Sequence, residues 1–196
     1  MKRLARRKPG DLDDDRRRLY DSIVGGSRAS GPQLFDLADS DGTLNGPFGP
    51  LLLQPALGAA VSALGEAVRY GTQLSGPERE LAILAVAVHC RSDFEWYAHV
   101  RVARYVGLTE AQIDDLSNGR RVGGVSSREA AVLAISEALL SGEPVDDDQY
   151  AQVAGALDEV EVFEVACLVG YYRMLAGVMS VFAIGIPDNA ERPPWG

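Results

Sequence analysis

The chain has 196 residues, of which 46% are apolar and 24% charged, and its formal net charge is -9. This length fits one globular domain with a sizeable core that needs no metal or disulfide support. The acidic balance argues against a nucleic-acid surface, so we expect no nucleic-acid partner. The two cysteines, Cys90 and Cys167, are too far apart in sequence for a C-x-x-C redox pair or a zinc knuckle, and a reduced intracellular protein is the simplest interpretation.

The two ends of the chain differ from its middle. The basic start MKRLARRK runs directly into the acidic PGDLDDD without the apolar segment of a signal peptide, which predicts a cytoplasmic location. Residues 1–15 lack apolar periodicity and predict a mobile tail, with a short docking arm as the alternative. We expect one domain over residues 16–187 and a C-terminal tail over 188–196.

The first half of the domain reads as helices joined by a glycine- and proline-rich loop. RRRLYDSIVG predicts a short helix. The following segment GTLNGPFGPLLLQP predicts a loop that packs against the core through Phe48, Leu51, Leu52 and Leu53. Three helices are then predicted, each closed by glycine or a polar break, at PALGAAVSALGEAVRYG, PERELAILAVAVHC and SDFEWYAHVRVARYVG.

One of these helices has an ambiguous pattern. LAILAVAVHC is apolar on all sides, so its periodicity alone does not separate a buried strand from a buried helix. Pro77 and the acids Glu78 and Glu80 suit the first turn of a helix, and we therefore favour helix.

The second half of the domain repeats the plan of the first. LTEAQIDDLSNG and SSREAAVLAISEALLSG predict helices capped by Thr109 and by Ser126 or Ser127. RELAILAV at 79–86 is echoed by REAAVLAI at 128–135, which indicates two related helix pairs. The apolar run at 174–186 is shorter than the ~20 residues of a bilayer span and predicts a buried core helix, with no membrane contact. The fold class is all-α, with about eight to ten helices.

Three polar residues of one predicted helix suggest a site. Ser92, Glu95 and His99 are spaced i, i+3 and i+7 and therefore lie along one stripe. A serine followed three residues later by glutamate is also the signature of a capping box, which would leave His99 as an interior histidine. We interpret Ser92 as a helix cap and Glu95 and His99 as a candidate site.

Glu80 strengthens this interpretation. It lies near the start of the preceding helix and could reach His99 if the two helices form an antiparallel hairpin. A carboxylate beside an imidazole fixes its tautomer and raises its pKa, which suits acid/base catalysis near neutral pH. Glu95 could do the same, or could itself carry a proton if burial raises its pKa. The alternative for Glu80 is a first-turn acid that interacts with the helix dipole.

Several motifs taken together identify a family resemblance. They are the NGPFGPLLLQP loop, the RELAIL helix start, the E-W-x-x-H run that ends at His99, the A-x-x-x-G-L run from Ala103 to Leu108, and VGYYRML. Over most of residues 15–187 the chain resembles the carboxymuconolactone decarboxylase family, whose superfamily includes alkyl hydroperoxidase D. The resemblance implies an all-α, alkyl hydroperoxidase D-like domain with two related helix-hairpin halves, and a homo-oligomer, either trimer or hexamer.

The hydroperoxidase branch of this superfamily uses thiols. Its glutamate, C-x-x-C pair and histidine correspond by position to Glu80, Ser92, Glu95 and His99. Both cysteine positions hold other residues, so the disulfide cycle of a thiol peroxidase cannot run there. Peroxide reduction that relies on Cys90 is the alternative function.

The decarboxylase branch keeps Glu-Trp and the histidine, as this chain does. The resemblance implies loss of CO2, without metal or cofactor, from a small conjugated lactone or carboxylic acid in aromatic catabolism. His99 would donate a proton or stabilise the dienolate, Glu80 would orient it, and Glu95 would be a second acid/base group. The candidate substrate-binding residues are Trp96, Ser92 and Arg79, with Arg91 and Arg128 as further arginines that could hold a carboxylate. A non-catalytic oligomeric binding protein is a third hypothesis.

Overall fold

The computed structural model describes residues 3–26, 28, 32–187 and 190–195. Within these ranges the regular structure is helical, which confirms the predicted all-α class. A 3-10 turn at Pro9–Asp11 is followed by α1 Asp14–Gly25, α2 Phe48–Leu51, α3 Pro55–Tyr70, α4 Gly76–Cys90, α5 Asp93–Tyr105, α6 Glu110–Ser117, α7 Ser127–Ser141, α8 Asp147–Ala154 and α9 Glu159–Phe182. The one β feature of the described chain is an isolated antiparallel bridge between Ala38 and Leu44.

Helix α4 lies at the centre of the domain. It packs against α5, α7 and α9, and every residue from Leu81 to Ala87 is buried. Because helices surround it, α4 carries apolar residues on all sides and has no polar face that would reveal the helical period. This explains why its sequence also resembles a buried strand, and the structure confirms the helix.

A tight turn joins α4 to α5. Arg91 adopts the left-handed conformation, with φ of 48°, and the Ser92 N–H donates to the Ala87 carbonyl at 2.9 Å. The chain reverses here, and α5 runs back along α4 as the predicted hairpin. The turn therefore places the middle of α5 opposite the start of α4.

The predicted repeat corresponds to α4 and α7, which pack against each other and against α9. Helix α7 begins at the Ser126 cap and ends at Gly142, whose φ of 84° suits a residue without a side chain. The final helix, α9, packs on α4 and places Tyr172 beside His99 of the first hairpin.

The predicted loop before α3 contains a short helix, α2, that the sequence did not indicate. Phe48, Leu51 and Leu52 are buried in a small cluster with residues of α1, as expected. Leu53 is 37% exposed and lies outside this cluster, so its prediction as an anchor was wrong.

The described parts of both terminal segments make contacts with the domain. Arg6 pairs with Asp39 at 2.6 Å, and Lys8 lies 3.5 Å from Asp41. Near the other end, the indole N–H of Trp195 donates to Asp93 at 2.8 Å. The mobile tail and the docking arm both remain predictions for the N-terminal segment. Residues 1, 2, 188, 189 and 196 of the predicted tails lie outside the described residues.

Helix α9 is the one described helix long and apolar enough to cross a membrane, with a mean hydropathy of 1.6. About 44% of that stretch is buried inside the protein, and core helices of soluble proteins share these properties. The run 174–186, predicted as a core helix, is helical only as far as Phe182, where α9 ends. Ala183 then adopts the left-handed conformation, with φ of 50°. One face of this part of α9 is buried, whereas Met174 and Val181, on the other side of the helix, are exposed.

Candidate active site

Glu80 and His99 form a buried pair at the centre of the α4–α5 hairpin. Glu80 Oε2 lies 2.7 Å from His99 Nδ1, and the two side chains are 0% and 5% exposed. A carboxylate can only accept a hydrogen bond, so Nδ1 carries the proton and Nε2 is the free nitrogen of the neutral ring. The ring of Tyr172 stands edge-on to the imidazole, with centroids 5.0 Å apart. Of the two carboxylates considered from sequence, Glu80 is the one that holds His99.

The protonation of His99 differs from the expectation. Burial lowers the pKa of His99 below its ordinary value, and the opposing effect of Glu80 does not cancel it. The positive charges of Arg69 and Arg79 add to the lowering. Glu80 does raise the pKa of His99, as predicted for a neighbouring carboxylate, but desolvation of the ring outweighs this effect and the net shift is downward. His99 is neutral near pH 7 and is able to accept a proton.

Glu95 has the opposite character. Its side chain is 2% exposed, and neither carboxylate oxygen has a hydrogen-bond partner among the described residues. Burial raises the pKa of Glu95 to about 8, against the weaker opposing effect of the Ser92 hydroxyl. Glu95 is thus a carboxylic acid near pH 7. Beside the neutral His99 it supplies a proton donor, and the pair provides one acid and one base.

The capping box of Ser92 and Glu95, which was the alternative interpretation of their spacing, is absent. Ser92 occupies the N-cap position of α5, as predicted, but its side chain makes no capping hydrogen bond. Five other helices of the described chain, α4, α6, α7, α8 and α9, begin with complete capping boxes. The glutamate that would close the box in α5 is instead buried at the site.

Glu95 and His99 line a small cavity of about 30 Å³. Its wall also contains Arg28 and Arg69 and five aromatic rings, those of Phe35, Phe48, Phe94, Tyr171 and Tyr172. The volume corresponds to roughly one water molecule. Glu80 lies behind His99 and not in the wall, so its role is to position the imidazole. We call this space the inner cavity.

The two arginines of the inner cavity were not predicted from the sequence to be site residues. Burial alone would lower the pKa of Arg69, but Tyr172 and Glu80 raise it above its ordinary value, and the guanidinium keeps its charge. Its Nε is buried without a hydrogen-bond partner among the described residues. Arg28 bonds to Ser62 Oγ at 3.1 Å and to Glu66 at 2.9 Å.

A glycine in α3 makes room for one of these arginines. A Cβ at Gly65 would lie 2.6 Å from Arg28 Nη2 and 2.1 Å from the Tyr171 hydroxyl oxygen. Glycine destabilises a helix interior relative to alanine, so its presence in the alanine-rich α3 is a signal of close approach. That signal could have pointed to α3 as a wall of the site, although not to the partner residues.

The predicted substrate-binding residues do not line the inner cavity. Trp96 packs against Trp195, with ring centroids 5.4 Å apart, and lines a separate cleft beside Arg101 and Arg104. One residue along a helix turns the side chain by about 100°, so Trp96 and Glu95 face different neighbours. Arg79 donates to the Leu74 carbonyl at 3.2 Å, and Ser92 is outside the wall.

The other arginines considered from sequence are also placed elsewhere. Arg128 pairs with Glu78 at 2.8 Å and with Glu161 at 2.5 Å, so it joins the starts of α4, α7 and α9. Arg91 is exposed at the hairpin turn. Neither one reaches the inner cavity.

Two further kinds of reactive group are the thiols and the possible metal ligands. Both Cys90 and Cys167 are free. Burial, with a contribution from Glu95, raises the pKa of the Cys90 thiol, which lowers its thiolate fraction. Within residues 3–26, 28, 32–187 and 190–195, no group of three or more His, Cys, Asp and Glu side chains is arranged to hold a metal ion.

The chain has relatives at the level of family and fold. Residues 55–138, which contain Glu80, Glu95 and His99, match the sequence profile described as the Carboxymuconolactone decarboxylase family. No curated protein sequence is significantly similar to the chain.

Several solved structures share the fold. An uncharacterised peroxidase-related protein from Ralstonia eutropha JMP134, described as an alkylhydroperoxidase AhpD core, has a TM-score of 0.73 at 14% identity, over 95% of this chain and 92% of that one. A second uncharacterised peroxidase-related protein, from Silicibacter sp. TM1040, has a TM-score of 0.64 at 18% identity, over 72% and 75%. A protein of unknown function from Agrobacterium tumefaciens, named as a candidate antioxidant defence protein AhpD, has a TM-score of 0.62 at 22% identity, over 69% and 93%. Similarity at these identities establishes the fold alone.

Proposed function

We propose that this chain, which belongs to the carboxymuconolactone decarboxylase and alkyl hydroperoxidase D-like superfamily, is a cofactor-free acid/base lyase. Its substrate would be a small conjugated lactone or carboxylic acid, as in aromatic catabolism. The observation that carries the proposal is the inner cavity, where a protonated Glu95 and a neutral His99 face two arginines. Acid, base and anion-binding groups that line one cavity are the elements that such a reaction needs.

The arginines would bind the substrate. A guanidinium pairs with a carboxylate through two parallel hydrogen bonds, and Arg69 has a buried Nε that no described residue uses. When the bond to CO2 breaks, its electron pair moves into the conjugated carbonyl and negative charge develops there. A fixed positive charge among largely buried side chains stabilises this charge.

Glu95 would supply the proton. Because its pKa is raised to about 8, it is protonated near pH 7 and can transfer the proton to the far carbon of the dienolate. Glu95 is then ionised and takes a proton from solvent before the next turnover. His99, held by Glu80, is the second proton carrier, since its ring is neutral near pH 7 and its position is fixed by the hydrogen bond from Nδ1.

The first experiment is ultraviolet-monitored turnover of γ-carboxymuconolactone, with CO2 release followed in parallel. We expect His99→Ala to lower kcat by about 10²- to 10⁴-fold. The matched control is His89→Ala, which removes an exposed histidine of the same helix pair and should leave turnover unchanged. Full turnover by His99→Ala would contradict the proposal, as would a wild type inactive on this lactone and on a panel of conjugated carboxylic acids.

Peroxide reduction at Cys90 is the second candidate, favoured by the names of the structural neighbours. The raised pKa of Cys90 and the absence of cysteine at positions 92 and 95 argue against it. Peroxide consumption with a dithiol, lost in Cys90→Ser and kept in Cys167→Ser, would establish this function instead.

The homo-oligomer is also part of the proposal. Helix α9 presents a stripe of apolar and small residues with a seven-residue repeat, and four of them, Val160, Phe163, Met174 and Val181, are 40% to 67% exposed. Apolar stripes with this spacing are typical of helix-to-helix interfaces. Light scattering on the purified chain should give the mass of a trimer or a hexamer.

A further inference from the structure

We propose that a second, larger cavity is a binding site for a small organic anion, and that the ring of Phe94 separates it from the inner cavity. This outer cavity has a volume of about 520 Å³. It is lined by the N-terminal segment 3–7, by residues of 39–52, and by residues 182–187, which begin at the last residue of α9. Such a volume is typical of small-molecule sites, whose usual range is roughly 300 to 1,000 Å³.

The wall of the outer cavity is positively charged. It carries Arg3, Arg6 and Arg7, and its one acidic residue is Asp39. Arg6 pairs with Asp39 at 2.6 Å, and Arg3 donates to the Val181 carbonyl at 3.1 Å. Arg7 is half-buried and has no hydrogen bond or ion pair within the part of the chain that the structure describes. A local excess of positive charge in a chain of net charge -9 selects anions for this space.

Phe94 is the one described residue common to the walls of both cavities. Its ring is 4% exposed and packs edge-on against Phe35, with centroids 6.2 Å apart. Phe94 and Glu95 both line the inner cavity, so a ligand that passes the ring enters the space that contains the candidate proton donor.

Gly46 sets the position of this ring. Its φ is 56°, and a Cβ there would lie 2.1 Å from Phe94 Cε1. Both the left-handed backbone and the close approach of the ring therefore require glycine. The ring makes no hydrogen bond and is held by packing alone, so the proposed passage requires a ligand to displace it from this packing.

The sizes of the two cavities require such a movement. The inner cavity of about 30 Å³ holds roughly one water, far less than a conjugated acid occupies. A substrate must displace part of the wall, and the Phe94 ring is the part that faces the charged outer cavity. That the inner cavity is the destination rests on the proposed function, whereas anion binding in the outer cavity does not.

Anion binding is tested by calorimetry at low salt with benzoate, and with benzamide as its neutral counterpart. We expect benzoate to bind the wild type about tenfold more tightly than benzamide, and Arg7→Gln to weaken benzoate binding several-fold. The control is Arg121→Gln, which removes an exposed arginine outside the cavity and should change nothing. Absence of benzoate binding, equal binding of the two probes, or an unchanged affinity in Arg7→Gln would overturn the anion site.

The proposed separation of the two cavities by the Phe94 ring is tested by the rate at which a reagent modifies His99. The chain has two histidines, so a His89→Gln background leaves His99 as the one target for diethyl pyrocarbonate. The neutral imidazole is the reactive form, and its lowered pKa keeps it neutral near pH 7. We expect Phe94→Ala in this background to speed the modification about tenfold or more, because the ring no longer blocks the path.

Two controls separate access from destabilisation. Leu108→Ala truncates a buried side chain that lines neither cavity and should keep the rate of the background. Phe94→Leu, which keeps an apolar side chain, replaces Phe94→Ala if that variant does not fold. An unchanged rate in the Phe94 variants would overturn the separation. If the wild type turns over none of the conjugated acids, but benzoate binding and diethyl pyrocarbonate modification behave as expected, only the proposed function is contradicted.

Discussion

Helices α4 and α5 begin with the same sequence signal, a serine followed three residues later by a glutamate, and use it differently. In α4, the Ser75 N–H donates to Glu78 Oε2 at 2.8 Å, and the Glu78 N–H donates to Ser75 Oγ at 3.3 Å. Glu78 Oε1 in addition accepts from Arg128 at 2.8 Å. In α5, the Ser92 side chain makes no capping bond, and both oxygens of Glu95 are buried without a described partner.

The consequence is a difference in protonation. Burial alone would raise the pKa of Glu78, but hydrogen bonds from Ser75 and Arg128 hold it below its ordinary value. Burial raises the pKa of Glu95 to about 8, because no comparable donors reach it. Position in the helix is the same, so the hydrogen-bond donors around the carboxylate decide whether it is a structural anion or a proton donor.

The largest expected difference is in catalysis. Glu95→Gln removes the proposed proton donor and should lower turnover of the conjugated acid by about 10²- to 10⁴-fold. Glu78→Gln keeps the site intact and should retain turnover near that of the wild type. Steady-state kinetics on both folded variants measure the contrast. Equal turnover by the two variants would remove Glu95 from the mechanism.

The next difference is in the pH dependence of stability. The folded pKa of Glu95 lies above its ordinary value of 4.5, so the folded state binds this proton more tightly than the unfolded state. The wild type should therefore lose stability relative to Glu95→Gln as the pH rises from 4.5 to 8, by roughly 1 kcal/mol per pH unit. Urea unfolding at several pH values measures this difference. A difference that does not change with pH would show that Glu95 ionises normally.

Glu78 should behave with the opposite sign. Its folded pKa is lowered, so its contribution to stability is present above 4.5 and is lost as the pH falls through the folded pKa. Unfolding of Glu78→Gln beside the wild type, over the same pH series, should show a change below pH 4.5 and none between 5 and 8.

The smallest difference is at the serines. Ser75→Ala removes a capping acceptor and should lower the free energy of unfolding by about 1 kcal/mol. Ser92→Ala removes no capping bond and should have an effect close to zero. Denaturant unfolding of the two variants compares them at neutral pH, where a similar loss in both would mean that Ser92 caps α5 in solution.

Much of the fold was predictable because its signals are local. The Ser126 cap and Gly142 bounded α7, and the apolar stretch 81–87 formed the expected helix. The hairpin predicted that Glu80 could reach His99, since antiparallel helices bring the start of one beside the later turns of the other, but the sequence left open whether Glu80 or Glu95 is the partner.

Other parts of the site depended on packing between distant segments. Arg28 and Arg69 reach the inner cavity from segments outside the hairpin, and nothing in their own neighbourhoods marks them. Trp96 follows Glu95 in sequence, yet it packs on Trp195 at the far end of the chain. A one-residue step along a helix is enough to change which distant segment a side chain meets.

By itself, the sequence determined the longer helices and the hairpin turn that joins α4 to α5. These follow from hydrogen bonds and periodicities that act within a few residues along the chain. The tertiary structure alone decided that Glu95 is protonated, that His99 is neutral, and that two arginines share their cavity. Charge states are set by desolvation and by neighbouring donors, and both depend on which segments, far apart in sequence, exclude water from the same space.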